Sequence, residues 1–303
     1  MRLHSGRVTT LGFMIGVFDS GFGGLTVLGA LTERLPQHDF LYLADNARAP
    51  YGARSPDVVY GFTLEAVEWL FDQGCALVVL ACNTASARAL RTIQQKHLPV
   101  HRPDRRVLGV VRPSVEALAG LPPGALPGIT PPSLAQGLVA VLGTETTISS
   151  DSYGIELRKL APNLRLIQQA CPMWVPLVEA GEIEGPGTDW FLHRYLDPLL
   201  DAPEQPTRIL LGCTHYPLLL GGIRRIVPPG IEILSQGGLV ADRLADWLQR
   251  HPETDARLER RGQRLFATTD DPQWFSTSAQ RLLGHKVTAE QIRLGFHEKG
   301  QWE

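Results

Sequence analysis

The strongest constraint on the fold of this chain is an alternation. Apolar runs of four to six residues recur with amphipathic stretches of helical period between them. The runs are Met14–Phe18, Phe40–Ala44, Ala76–Ala81, Val107–Val111, Leu138–Leu142, Arg165–Gln169, Ile209–Gly212 and Ile231–Leu234. Runs this short and this apolar suit strands buried on both faces, which is how strands sit when helices cover a parallel sheet. The stretch Pro56–Gln73 shows the helical half of the pattern, with Val59, Phe62, Ala66 and Leu70 on one face. The spacing therefore predicts an α/β protein with mainly parallel sheets, and 303 residues leave room for about two domains.

One segment echoes another. "LVVLACNTASARALRTI" (Leu77–Ile93) and "RILLGCTHYPLLLGGIRRI" (Arg208–Ile226) each run from an apolar strand through a small residue to a cysteine, then through polar residues into a helix-like stretch. The echo predicts two similar α/β halves, each offering one cysteine at the carboxyl end of a strand, where open α/β sheets bind ligands.

The four cysteines (Cys75, Cys82, Cys171, Cys213) are too few in a chain of this length for a disulfide scaffold and read as reduced thiols in the cytoplasm. Cys75 and Cys171 sit in apolar contexts that favour core packing. Cys82 alone would pass as a structural thiol too, since free cysteine is commonly buried. Its place at a helix start, before Asn83, Thr84 and Ser86, also predicts a thiol pKa lowered from about 8.5 toward neutrality. Cys213 has the same placement and a titratable neighbour, His215. Two copies in equivalent settings favour a functional pair.

Other strand ends are polar as well. "FDSGFGGLTVL" (Phe18–Leu28) places Asp19 and Ser20 beside Gly21, Gly23 and Gly24, but Thr26 stands where a dinucleotide fingerprint needs a third glycine. "LADNARAPYG" (Leu43–Gly52) brings Asp45, Asn46, Arg48, Pro50, Tyr51 and Gly52, and "LGTETTISSDSYG" (Leu142–Gly154) is dense in hydroxyls. Each could be a turn satisfied by its own side chains. Five polar strand ends together predict a cleft lined from several strands.

By atom type Cys82, Cys213, His215 and Asp19 could ligate zinc, but the chain lacks Cys-x-x-Cys and His-x-x-x-His and draws these residues from distant segments. No metal and no cofactor are expected. A net charge of −2 with no basic stripe argues against nucleic acid and anionic membranes as partners. No apolar run is long enough to span a bilayer. Residues 1–13 read as a mobile extension with Met14 as an alternative start, and "LPPGALPGITPP" (Leu121–Pro132), with five prolines, reads as a loop.

Two thiols across a cleft suit the inversion of a carbon acid, in which one face loses a proton and the other gains one. One sulfur must be thiolate and the other thiol, and no cofactor is needed. Asp19 could manage the proton of Cys82, and His215 with Glu179 that of Cys213. Backbone N–H groups, Ser20, Asn83, Thr84 and Thr214 would hold carboxylates in a site whose polar turns carry only Arg48 as a cation.

Six motifs in order, "IGVFDSGFGGLTVL", "LYLADNARAPYG", "LACNTASA", "GTETTISSDSY", "CPMWVPLVEAG" and "LLGCTHYPLL", closely resemble bacterial glutamate racemases, of the cofactor-independent aspartate/glutamate racemase superfamily. The resemblance runs from about Met14 to Asp271. It implies that Cys82 and Cys213 are the catalytic bases, assisted by Asp19 and by His215 with Glu179 respectively. It further implies that Ser20, Pro50, Tyr51, Gly52, Asn83, Thr84, Thr147 and Thr214 line the glutamate pocket. It implies two pseudo-symmetric α/β domains with the active site in the cleft between them, the first formed by residues 1–106 and 240–303 and the second by 107–239. A cytoplasmic homodimer supplying D-glutamate for peptidoglycan is the corresponding cellular expectation. The chain departs from the pattern at "GVVRPS" (Gly109–Ser114), where the family usually has an acid in place of Arg112 and a glycine in place of Ser114. Aspartate and hydantoin racemases are the nearest rivals, and His215 after "CT" favours the glutamate branch. A non-catalytic amino-acid-binding protein would need neither thiol, and a related decarboxylase could work with one.

Overall fold

The computed structural model of the protein describes residues 13–126 and 137–295. Residues 1–12 of the expected extension, 127–132 of the proline-rich segment and the last residues of the polar tail lie outside them. Phe13, counted with the mobile extension, is fixed instead. It bridges Leu258, and the guanidinium groups of Arg105 and Arg257 lie 4.5 and 4.4 Å from the centre of its ring.

Among the described residues, ten strands form two sheets. They are β1 (Met14–Asp19), β2 (Phe40–Ala44), β3 (Cys75–Leu80), β4 (Arg106–Gly109), β5 (Gly137–Gly143), β6 (Leu164–Ala170), β7 (Arg208–Leu211), β8 (Glu232–Leu234), β9 (Arg264–Thr268) and β10 (Ala289–Gln291). The first sheet has the order β10-β9-β2-β1-β3-β4 and the second β6-β5-β7-β8. Every pairing is parallel. Strands β1, β2 and β3 are buried along their whole length, as parallel strands covered by helices must be.

The pseudo-symmetry is visible in strand order. In each sheet the first strand of the repeat lies between the second and the third, giving β2-β1-β3-β4 and β6-β5-β7-β8. That order reverses direction between the first and third strands, the place where doubly wound sheets open a crevice at their carboxyl ends. Cys82 follows β3 and Cys213 follows β7, so the two thiols occupy equivalent positions.

The expected division at residue 107 falls within a strand. The fourth run forms β4, which pairs with β3 along Leu77–Leu80 in the first sheet. It stops at Gly109 because the chain bends into the helix Val111–Leu118. β9 and β10, not anticipated as strands, add to the outer edge of this sheet beyond β2. The chain thus leaves the first sheet through Val111–Leu118 and returns through the helix Gln236–Arg250, which packs on both Leu25–Arg34 and Val111–Leu118.

The helix Pro56–Asp72 shows how local sequence sets these elements. Ser55 caps it by accepting from the N–H of Val58, Pro56 occupies its first turn, and Val59, Ala66 and Leu70 face the core as predicted. Phe62 is only partly buried and carries the Arg48 guanidinium 4.0 Å from its ring centre. Among the described residues no helix is long and apolar enough to cross a membrane.

Candidate active site

The turn after β1 is shaped by Asp19. Its carboxylate is fully buried and accepts hydrogen bonds from the backbone N–H groups of Gly21 and Gly24 at 3.1 and 3.0 Å. Gly24 has no room for a side chain, since a Cβ there would lie 2.5 Å from the Cβ of Asp19. Burial raises the Asp19 carboxyl to about 6, against the opposing pull of His215 and of its two backbone donors.

Cys82 stands at the N-terminus of the helix Asn83–Arg88. Its sulfur lies 3.5 Å from the N–H of Ala85 and 3.4 Å from the hydroxyl of Ser20. The expected lowering of this thiol toward neutrality is reversed. Burial, followed by the charge of Asp19, pushes it up to about 12, and the donors from Ser20 and Ala85 offset only part of that. Asp19 therefore reaches Cys82 through its charge, while the group in contact with the sulfur is Ser20.

On the opposite wall, Cys213 Sγ lies 3.9 Å from His215 Nδ1, and His215 Nε2 lies 2.6 Å from Glu179 Oε1. Burial disfavours the imidazolium, but the hydrogen bonds and charges of Cys213 and Glu179 outweigh it and raise His215 to about 10. Thr214 joins the two walls. Its hydroxyl lies 3.5 Å from Asp19 Oδ1, to which it donates, and 3.4 Å from His215 Nδ1. The Phe22 ring packs against the His215 ring at a tilt of 60°, with centroids 5.3 Å apart. Gly23 passes so close that a Cβ would come within 2.6 Å of His215 Nδ1.

A single cavity receives both walls. Of the residues expected from sequence, Ser20, Pro50, Tyr51, Gly52, Cys82, Asn83, Thr84, Glu179, Cys213, Thr214 and His215 line it. Asp19 and Thr147 do not. Asp19 sits behind the wall, and Thr147 lies behind Thr84, with hydroxyls 3.3 Å apart. Ala49, Thr144 and Val175 also line it, beyond the residues the sequence predicts. Thr144 was legible as one of the hydroxyls after β5. Its Oγ lies 3.0 Å from those of both Thr84 and Thr147, and it caps the helix Glu145–Ser149. Ala49 and Val175 carry no chemical signal.

Arg48 does not face the cavity. It bonds Asp45 at 2.7 Å and Glu65 at 2.6 Å, and Asp45 also accepts from the Tyr51 hydroxyl. The cation thus braces the Pro50-Tyr51-Gly52 turn from outside, and the lining is thiols, hydroxyls, an amide, an imidazole and one carboxylate. All four cysteines are buried and free; Cys75 lies in β3 and Cys171 directly after β6. Among the described residues no three His, Cys, Asp or Glu side chains are placed to hold a metal ion.

No protein-family model matches the chain. Whole-chain relatives do. The glutamate racemase of Ruegeria pomeroyi is 40% identical over 274 residues, covering 90% of this chain and 98% of that protein. Among solved structures, a glutamate racemase isoform from Bacillus anthracis superposes with a TM-score of 0.80 at 31% identity, over 93% of this chain and 98% of its own. A Francisella tularensis glutamate racemase solved with D-glutamate gives a TM-score of 0.78 at 27% identity, over 93% of this chain and 98% of its own. With two matched sheets, two equivalent cysteines on one cavity and relatives of this likeness over nine-tenths of its length, the chain belongs to the glutamate racemase family.

Proposed function

We propose that the protein interconverts L- and D-glutamate by a two-base mechanism that uses Cys82 and Cys213 and no cofactor. The observation that carries this reading is the placement of the two thiols at equivalent strand ends of the two sheets, both lining one cavity and each beside its own polar partner. In one direction the Cys82 thiolate takes the Cα proton and Cys213 delivers a proton to the opposite face; in the reverse direction the roles exchange. A sulfur held near 12 by burial is a strong base once it is ionised. His215, held protonated by Glu179, is placed to exchange a proton with Cys213. Ser20, Asn83, Thr84, Thr147 and Thr214, with the turn Pro50-Tyr51-Gly52, form or back the surface that receives the carboxylates and amino group. The D-glutamate held by the Francisella relative supports this substrate class.

The test is to incubate the protein with L-glutamate in heavy water and follow optical rotation together with deuterium at Cα. Loss of rotation with deuterium entering the inverted product is expected. Turnover of aspartate alone would move the chain to a neighbouring branch, and turnover of neither would overturn the reading. Cys82→Ala or Cys213→Ala should lower racemisation by at least about a thousandfold while leaving the thermal midpoint within a few degrees. Normal activity in either variant would sink the two-base scheme.

The same reading makes the protein a cytoplasmic homodimer that supplies D-glutamate for peptidoglycan. It divides the chain into one domain built on the first sheet, residues 13–109 with the C-terminal part, and one built on the second. Rescue of a D-glutamate auxotroph and sedimentation at the mass of a dimer are the corresponding expectations.

A further inference from the structure

Gln236, the first residue of the helix that returns the chain to the first sheet, is buried at the centre of a four-residue polar network. Its Nε2 lies 2.6 Å from the Ser114 hydroxyl, 3.0 Å from Asn83 Oδ1 and 3.0 Å from the Tyr153 hydroxyl. Its Oε1 accepts from Asn83 Nδ2 at 2.6 Å. Asn83, Ser114 and Tyr153 are also buried. The partners come from the helix start beside Cys82, from the helix Val111–Leu118 and from the helix Ser152–Leu160 behind β5 and β6. The network therefore ties both halves of the molecule to one amide.

The donors leave little choice of arrangement. Ser114 gives its hydroxyl proton to Val110 O at 2.6 Å, and Tyr153 gives its own to Asn83 Oδ1 at 2.5 Å. The two N–H groups of Gln236 then face three acceptors, the Ser114 and Tyr153 oxygens and Asn83 Oδ1, so one of its protons is shared between two of them. Asn83 is held on both sides, because Oδ1 receives Tyr153 and Gln236 while Nδ2 gives one proton to Gln236. One N–H of Asn83 stays outside the network, and Asn83 lines the cavity. The reciprocal Asn83–Gln236 pair ties the two amides together, since a flip of either one alone sets N–H against N–H in a buried site. Ser114, where the resembling family has glycine, supplies one of its four members.

We propose that Gln236 is a positioning residue that fixes the Asn83 amide at the cavity wall and so sets the affinity for the substrate, through contacts that reach both halves of the molecule. The assignment rests on the proposed racemase reading for its kinetic test but not for its structural one. Gln236→Met keeps the length of the side chain and removes both amide groups. It should raise KM for glutamate about tenfold while kcat changes less than about threefold, as loss of a ground-state orienting contact does. In an Asn83→Ala background the same substitution should change KM less than about twofold, because the residue through which it acts is gone. A merely structural role predicts full additivity and a fall in kcat with little change in KM, and either result would overturn the assignment.

NMR of the ligand-free protein reads the network without any activity. The side-chain amide protons of Asn83 should exchange slowly with solvent in the parent protein and rapidly in Gln236→Met. Equal exchange in both would also overturn the assignment, even if glutamate is not the substrate. If Gln236→Met does not fold, Tyr153→Phe removes only the phenol oxygen and should shift KM and the Asn83 exchange in the same directions; no shift would count against the proposal.

Discussion

His215 sits between two groups that stabilise its charge, and its chemistry follows from which of them is removed. The Glu179 carboxylate, 2.6 Å away, and the Cys213 sulfur raise it to about 10 against the cost of burial. Glu179→Gln keeps a hydrogen-bond acceptor and removes the charge, so the imidazolium loses support and the histidine titrates at lower pH. The alkaline limb of the kcat/KM profile should therefore move down by about one pH unit or more. A group whose pKa is higher folded than unfolded adds stability that is complete below its unfolded value, near 6.5, and is lost as pH rises toward 10. The thermal midpoints of the parent and Glu179→Gln should differ most below pH 6.5 and converge above pH 10. A constant difference across that range would show that the charge of this pair is not what Glu179 contributes. At this scale the sequence revealed residue types well and contacts poorly. Cys82, Cys213 and His215 were legible because each stands at the end of an apolar run. The contact of Ser20 with the Cys82 sulfur and the shift of that thiol upward were not, because burial depends on what other segments bring to the site. Gln236 gave no local signal at all, since its partners lie 83, 122 and 153 positions away in the chain.

The elements carry these residues through a few close approaches. The turn after β1 must pass under the histidine of the other half, and Gly23 is what lets it do so. A Cβ at this position would lie 2.6 Å from His215 Nδ1 and 2.7 Å from Thr214 Oγ1, well inside contact distance. Gly23→Ala must therefore displace either the turn that carries Asp19 or the imidazole that faces Cys213. A displacement of this kind costs on the order of a hundredfold in kcat/KM. The expected stability loss is about 1–3 kcal/mol, the usual cost of overpacking. Parent-like turnover in this variant would mean that the two walls have slack at this contact. Most of the strands are legible to within a residue or two because short buried runs of Val, Ile and Leu leave few readings. β9 and β10 were missed for the opposite reason. β9 begins with Arg264, and β10 is the three-residue segment Ala289–Gln291 at the sheet edge, with two polar residues of its three. Each is a strand because of what it pairs with. β4 shows the same effect: its run is legible in the sequence, but its pairing with β3 is not, since partner choice is set by the neighbouring strand.

Across the whole molecule, the chain passes between the sheets through two helices. Val111–Leu118 and Gln236–Arg250 pack on each other, and Glu116 is buried between them with a side chain only 3% exposed. Its carboxylate pairs with Arg112 at 2.9 Å and with Arg243 at 3.3 Å, and accepts from the N–H of Gly124 at 3.2 Å. Arg112 continues to Glu156 at 3.2 Å and to the carbonyl of Ala125. The departure from the family pattern at Arg112 is thus a cation that joins the outgoing helix, the loop after it and the second half. Removing the Glu116 charge leaves Arg112 with Glu156 and Arg243 with Asp246, so the loss falls at the low end of the about 3–5 kcal/mol that breaking a buried pair costs. Glu116→Gln keeps the shape and should lower the thermal midpoint by several degrees, as a loss of about 3 kcal/mol does in a protein of this size. Because Glu116 touches no residue of the cavity, kcat and KM measured below that midpoint should stay within about twofold of the parent. Arg243→Met should cost less, since Glu116 keeps Arg112. If Glu116→Gln instead lost activity while keeping its thermal midpoint, the crossing helices would be setting the geometry of the cavity rather than the cohesion of the two halves.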